Sequence, residues 1–253
     1  MDIPEVNFTT IPQYLLEISA YPNLCWIYRG QSNLEWPLKP KAGRTDYYVP
    51  KIDSPEDAEL PPHDLRRFNY WRELAIAYHN PLPTNNFECL AFAQHYGLAT
   101  RLLDWSTNPL VALFFAVDTC TDCDGAVFCH SPHGYIESDI ADFYSFPFVG
   151  QYTPPPFDRR ILNQCGVFTY HPNPSEALAV QDVDEDVRTL TPEHGLNLVR
   201  FRVMSKTKSM LKRQLDQIGI NRKFLFPDLE GLSNFINWET HRSVNLSKRE
   251  NQN

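Results

Sequence analysis

The sequence predicts an α+β fold, a mixed and largely antiparallel sheet covered by helices, on three observations. Apolar residues recur at helical spacing in segments concentrated toward the first half. Short runs rich in aromatic and β-branched residues follow, bounded by Gly and Pro. One of them, LNLVRFRVM, alternates Val199, Phe201 and Val203 with Arg200 and Arg202, the period of a half-buried strand. At 253 residues, 42% hydrophobic and 13% aromatic, the chain is long enough for one large domain with a sizeable core. Its 21 prolines against 10 glycines point to ordered, proline-bounded loops.

Taken in order, Thr9 or Thr10 caps a first helix whose apolar face is Tyr14, Leu15 and Ile18. Cys25 to Arg29 reads as a buried strand, which Gly30 terminates. Residues 35–62 carry six prolines and an acidic patch around Asp53 to Glu59, which makes them an insertion or lid loop, ordered in part. Helices follow at about 64–79 and 86–96. The stretch from Gln94 to Val117 then delivers Gln94, His95, Arg101, Asp104, Trp105, Ser106 and Thr107 onto the most apolar run in the protein. There Asn108 is a good N-cap, Pro109 suits the first helical position, and Leu110, Leu113, Phe114 and Val117 follow at helical spacing. With Val111, Ala112, Phe115 and Ala116 on its other faces, that helix has almost no wettable side.

Beyond it, Asp124-Gly125 turns into a strand over 126–130, and a further strand is expected over 166–171. Residues 142–160 are aromatic and proline-rich without a usable period and read as loop packing. Asp182 to Asp186 reads as a solvated loop. Met210, Leu211, Leu215 and Ile218 mark a helix that Gly219 ends, Phe224 to Phe226 a short strand, and Leu232, Phe235, Ile236 and Glu239 a last helix. The tail, 243–253, is polar and expected to be flexible. The whole, 1–253, reads as a single domain without internal repeats.

A net charge of −8 disfavours generic nucleic-acid binding, although it leaves room for a local basic groove. MDIPEVNFTT lacks the features of a signal peptide and no apolar run approaches bilayer length, so a cytoplasmic protein with no membrane partner is expected. Six cysteines without an export signal are expected to be free thiols. The cluster CTDCDGAVFCHSPH offers Cys120, Cys123, Cys129, His130 and His133, and a C-x-x-C at a turn begins many zinc sites. Cys129 and His130 would face opposite sides of a strand, however, so a plain helix-to-strand turn is the simpler reading and no metal is expected.

Candidate site residues are Arg29, Gly30 and Gln31 after the first strand, His95, Arg101, Asp104, Ser106 and Thr107 in the central stretch, and Gln164 before a later strand. Each has a structural alternative. Arg29 can pair with Asp104 to hold the sheet together, His95 can cap a helix end, and Asp104 and Ser106 can cap the buried helix. Functionally, a helix start with nearby hydroxyls and Arg29 or Arg101 makes a site for an anionic ligand such as a pyrophosphate. No Gly-rich phosphate loop, G-x-S-x-G elbow, H-E-x-x-H helix or paired-carboxylate motif is present.

The segments WIYRGQSNLEWPLKPKAGR, AFAQHYGLATRLLDWSTNPLVALFFAV, RILNQCGVFTYH and KFLFPDLEGLSNFI resemble the successive blocks of the FRG domain family, with Tyr28-Arg29-Gly30 in place of Phe-Arg-Gly. That family occurs mainly in bacterial and phage proteins. Arg29-Gly30 ending a strand, Ser106-Thr107 before a helix and Gln164 near a later strand are more distantly similar to the arrangement in ADP-ribosyltransferases. This resemblance implies NAD as substrate and a toxin or antiphage setting. By it Gly30 would clamp the nicotinamide amide, Arg29 the phosphates or ribose, Ser106 and Thr107 the nicotinamide ribose, and Gln164 would take the third position. Gln164 cannot ionise where such transferases commonly use glutamate, so either it marks a weakened or altered activity or another acid such as Asp104 or Glu230 contributes. A macromolecular acceptor would receive the transferred group. The competing class is a non-enzymatic module that binds a nucleotide or a partner protein, with a nuclease further behind because the acidic residues lack metal-ligand spacing.

Overall fold

The computed structural model describes residues 2–22, 24–50, 60–137, 146–182 and 195–250, without the side chains of 245–250. The chain opens with strand β1 (Glu5–Asn7), helix α1 (Ile11–Ile18) and strand β2 (Ile27–Gln31). A short 3-10 turn, Lys41–Gly43, precedes α2 (His63–Ala75) and α3 (Asn86–His95). Then come β3 (Leu102–Ser106), α4 (Pro109–Val117), β4 (Gly125–His130) and β5 (Gly150–Tyr152). The remainder is α5 (Arg159–Asn163), β6 (Gly166–Tyr170), β7 (Leu198–Val203), α6 (Ser205–Gln217), α7 (Arg222–Leu225) and α8 (Leu229–Glu250). Polar side chains start most of the helices by accepting orphan N–H groups: Thr10 from Gln13, Asn85 from Glu88, Asn108 from Leu110, Asp158 from Arg160 and Asn221 from Phe224.

The strands make one mixed sheet in the order β1-β7-β4-β2-β3-β6-β5, in which β1 and β7 run parallel and every other neighbour is antiparallel. The fold is therefore α+β. One face divides its helices into two groups. Tyr28, Val127, Cys129, Val199, Phe201 and Val203 pack with α1, α4 and α6. Leu102, Phe168, Tyr170 and Tyr152 pack instead with Leu65 and Phe68 of α2 and Phe87, Leu90 and Ala91 of α3. The opposite face, carrying Ile27, Leu103, Trp105, Phe128, Val167 and Leu198, is covered by Leu34, Leu38, Leu178 and Val180 from loops. Leu38 and Ala42 from the expected insertion are thus buried, while 51–59 lie outside the described residues.

Helix α4 is buried as its composition requires, with Val111, Ala112, Leu113, Phe114, Ala116 and Val117 all inside. Several expectations need correction. Leu102–Ser106, anticipated only as a polar preface to α4, is a central strand paired on both sides. Its five residues mix Asp and Ser with Leu and Trp, so tertiary pairing rather than local pattern makes the strand. Phe224 to Phe226 is not a strand. Arg222–Leu225 is helical from its Asn221 cap, a signal that a three-residue apolar run cannot outweigh. β5 and α5 both fall within the stretch anticipated as loop packing, and α8 runs to Glu250, past Ser243. Residues 183–186 of the acidic run, like 142–145, lie outside the described residues.

Cys120 and Cys123 form a disulfide, contrary to the expectation of six free thiols. The left-handed backbone of Cys120, φ 47°, turns the chain so that the two Cα atoms stand 5.8 Å apart, within disulfide reach. Among the described residues no three His, Cys, Asp or Glu side chains gather as a metal centre would require.

Candidate functional site

The sheet is nearly cut in two. β2 pairs along its whole length with β4, and β3 along its whole length with β6, yet β2 and β3 meet only at Tyr28 and Ser106. Past that bridge Arg29–Gln31 and Leu103–Trp105 run opposite each other without a ladder, and their backbone groups are left to other partners. The two helix groups draw the two strands apart. Between the groups a cleft of about 400 Å³ opens over the split, a size typical of small-molecule sites. Its walls include Tyr28, Arg29 and Gly30 of β2, Asp104 and Ser106 of β3, Gln94 and His95 of α3, Ala112 and Phe115 of α4, and Arg160 and Gln164 around α5.

Arg29 spans the split. Its Nη1 donates to the Asp104 carbonyl oxygen at 2.6 Å and stands 3.9 Å from Asp104 Oδ2. This is the strut anticipated as the structural alternative, and the same residue lines the cleft. Burial and Arg44 pull the Arg29 pKa down to about 10 against Asp104, so the group stays cationic at neutral pH. Gln31 does not line the cleft; it is buried, its Nε2 donates to the Trp36 carbonyl at 2.8 Å, and its Oε1 accepts from Arg29 Nε at 3.4 Å. It therefore acts through Arg29. Asp104 is the exposed carboxylate opposite, and its Oδ1 accepts from Gln94 Nε2 at 2.9 Å.

Ser106 is a three-way fastening. Its Oγ accepts from the Asn108 N–H at 3.0 Å and donates to the Gln164 carbonyl at 2.7 Å, so β3, the start of α4 and the α5–β6 turn are held at one point. Asn108 rather than Ser106 or Asp104 caps α4. Gln164 caps the C-terminus of α5, and its Nε2 donates to the Leu225 carbonyl at 2.9 Å. His95 Nε2 stands 3.7 Å from Asp158 Oδ2, and Asp158 caps α5 through Oδ1. Burial lowers the His95 pKa despite Asp158, which favours the neutral imidazole at pH 7. Gly30 is demanded by packing: a Cβ there would lie 1.9 Å from the Ala112 carbonyl oxygen and 2.7 Å from the Ala116 nitrogen, both on α4.

Besides Gln31, two more expected site residues stand outside the cleft, Arg101 and Thr107. Arg101 is 2% exposed and gives Nε and Nη2 to the two Asp64 oxygens at 2.8 and 2.9 Å, and Nη1 to Tyr170 Oη and the Pro172 carbonyl. It is a buried bolt between α2 and the sheet. Thr107 ties its N–H to the Cys165 carbonyl at 2.9 Å and is not among the cleft's walls. Three cations that sequence reasoning passed over are present instead: Lys41 and Arg44 from the 3-10 turn and its end, and Arg160 from α5. Lys41 and Arg44 lie in the proline-bounded stretch and Arg160 in the aperiodic one, where no local pattern distinguishes a ligand-facing cation from a solvated one.

Residues 25–124 match the family model described as FRG domain, and that segment contains β2, α3, β3 and α4, with most of the cleft's walls. No curated protein and no solved structure matches the chain.

Proposed function

We propose that this chain, which carries an FRG domain, binds NAD in the cleft between β2 and β3 and acts as an ADP-ribosyltransferase-like effector domain, in a toxin or antiphage setting. The observation that carries the reading is electrostatic. Arg29, Lys41, Arg44 and Arg160 line the cleft, against Asp104 as its one carboxylate among the described residues, in a protein of net charge −8. Such a concentration of cations against the overall charge fits a pyrophosphate. Arg29 supplies a guanidinium braced at the sheet split, and Lys41, Arg44 and Arg160 line the same cleft.

Transfer would break the bond between the nicotinamide nitrogen and ribose C1′, leaving cationic character on the sugar that a nearby carboxylate stabilises. Gln164 cannot carry that charge, and Glu230 is not among the cleft's walls. Asp104 takes the role. The electron pair of the broken bond leaves with nicotinamide, and an acceptor nucleophile bonds to C1′ and releases its proton.

A second reading, a nucleotide-binding module without turnover, draws on a different observation. The side chains of Ser106 and Gln164 are both spent on main-chain partners, which suits a fixed scaffold. One experiment separates the two: purified protein with NAD labelled in the adenylate portion and cell extract, followed for nicotinamide release and label transfer, with calorimetry alongside. Release and transfer, both lost in Arg29→Ala, are expected. Binding without release would favour the module, and the absence of heat, release and transfer would dismiss NAD altogether.

A further inference from the structure

Resting on that reading, we infer that Thr100 and Gln94 form a one-way hydrogen-bond relay that aims the Asp104 carboxylate into the cleft, and that both are positioning residues for the reaction. Thr100, buried just before β3, accepts the Leu102 backbone N–H on its hydroxyl at 3.1 Å. Its own hydroxyl proton goes to Gln94 Oε1.

The acceptor-only Asp104 carboxylate decides which way the Gln94 amide faces, and the Thr100 hydroxyl, by donating to Oε1, holds it there. With Oε1 held by Thr100, the NH2 group points the other way and donates to Asp104 Oδ1 at 2.9 Å. A flipped amide would set its NH2 against the Thr100 hydroxyl and its carbonyl oxygen against a carboxylate oxygen, losing one bond and creating a repulsion. Gln94 is therefore a donor to Asp104 by construction. With Oδ1 engaged on that side and Oδ2 3.9 Å from Arg29 Nη1, the exposed carboxylate is oriented from two sides.

The opposite wall repeats the device. Gln31 Nε2 is held by the Trp36 carbonyl, so its Oε1 faces Arg29 Nε. Each charged group across the split is thus set by a glutamine whose orientation a second bond fixes. The two charges differ in one respect: Arg29 also grips the Asp104 main chain, whereas Asp104's carboxylate depends on Gln94 for its nearest hydrogen bond. The relay matters most on the acidic side.

The test uses Thr100→Val, which keeps the shape and removes the hydroxyl, Thr100→Ser, which restores it, and Gln94→Ala. In the protein without NAD, the Gln94 side-chain NH2 resonances should move toward those of a solvent-exposed amide in Thr100→Val and return in Thr100→Ser. An unchanged Gln94 amide in Thr100→Val would overturn the relay whatever the catalytic outcome. In NAD turnover, kcat should fall roughly tenfold in Thr100→Val with KM within about twofold, and Thr100→Ser should recover it. Thr100→Val on the Gln94→Ala background should lower kcat no further, since the hydroxyl reaches Asp104 only through Gln94, while loss of its bond to the Leu102 N–H is read separately as a lower thermal midpoint. Additive losses would overturn the relay, and so would equal losses in the Val and Ser variants. Should Thr100→Val not fold, Gln94→Ala with Thr100→Ser gives the same kcat-against-KM comparison. A shifted Gln94 amide in a protein that never consumes NAD would instead sink the transferase reading while the relay stands.

Discussion

Acid should destabilise this protein through two histidines that the fold holds neutral. His130, on β4, and His171, just after β6, are 1% and 2% exposed. His130 Nδ1 lies 3.0 Å from the Asn197 carbonyl, so it is the protonated nitrogen, and Nε2 has no hydrogen-bond partner among the described residues. His171 Nε2 lies 2.9 Å from Thr169 Oγ1, which accepts from Trp105 Nε1 and has its hydroxyl proton left to give. Burial, reinforced by His133 and opposed by the Asn197 carbonyl, takes His130 down to about 4. Burial, with His130 and Arg29, takes His171 down to about 3. The unfolded chain titrates both near 6.5, so between these values the unfolded state binds more protons and stability falls with pH. It is complete above about pH 7 and lost progressively below, with each site contributing about 2 kcal/mol of loss by pH 5 and the pair roughly 4. Against a typical total of about 5–15 kcal/mol that is a large fraction. Urea denaturation of the wild type and of His130→Asn with His171→Asn, at pH 8 and pH 5, isolates the effect because carboxylates contribute alike to both proteins. The wild type should lose about 4 kcal/mol more than the double variant. Equal losses would refute the reasoning, as would C2-proton titration of either folded histidine near 6.5.

Three further outcomes are expected. Gly30→Ala places a methyl 1.9 Å from a main-chain oxygen of α4 and should cost about 3 kcal/mol or more, seen as a lowered thermal midpoint; an unchanged midpoint would mean that α4 is not seated on β2. Arg101→Met strands the Asp64 carboxylate, whose side chain is only 9% exposed, and should cost about 3–5 kcal/mol in urea denaturation without entering the binding site. Asp64→Leu together with Arg101→Met should recover part of that loss. NAD binding should weaken as salt is raised, and Lys41→Ala with Arg44→Ala should flatten that dependence; calorimetry at two ionic strengths decides it.

Much of the local structure was legible because local chemistry decides it. The α4 run, its Asn108 cap and its Pro109 start predict a buried helix, and α4 is one. The alternation around Val199 and Phe201 predicts β7. What local pattern could not convey is pairing. Leu102–Ser106 is a strand because β6 pairs it along its whole length and Tyr28 bridges it at Ser106, and nothing in LLDWS announces that. The same gap separates Arg29 from Arg101. Both are arginines beside apolar residues in suggestive stretches, yet Asp64, 37 positions before Arg101, consumes four of the latter's bonding directions together with Tyr170 and Pro172. Lys41, Arg44 and Arg160 were invisible for the converse reason, since only the fold brings those segments to one opening.

The cleft follows from how the core is divided. A seven-stranded sheet with uniform helical cover would keep β2 and β3 in register along their length. Here Gly30 lets α4 press against β2, while Leu102 and its neighbours on β6 and β5 are claimed by α2 and α3. Each strand is held by its own helix group, and a single bridge cannot keep the edges together. Exposed strand edges are costly unless their polar groups find partners. Arg29 meets part of that need by reaching across to the Asp104 carbonyl, which makes the strut and a cleft-lining cation one residue. Loss of Arg29 therefore removes a brace and a cleft-wall cation together. Arg29→Lys separates them: it retains the positive charge, but a single ammonium cannot reproduce the guanidinium's separate bonds to Gln31 and Asp104. A variant that still binds an anion but melts earlier would assign bracing to the fork and attraction to the charge.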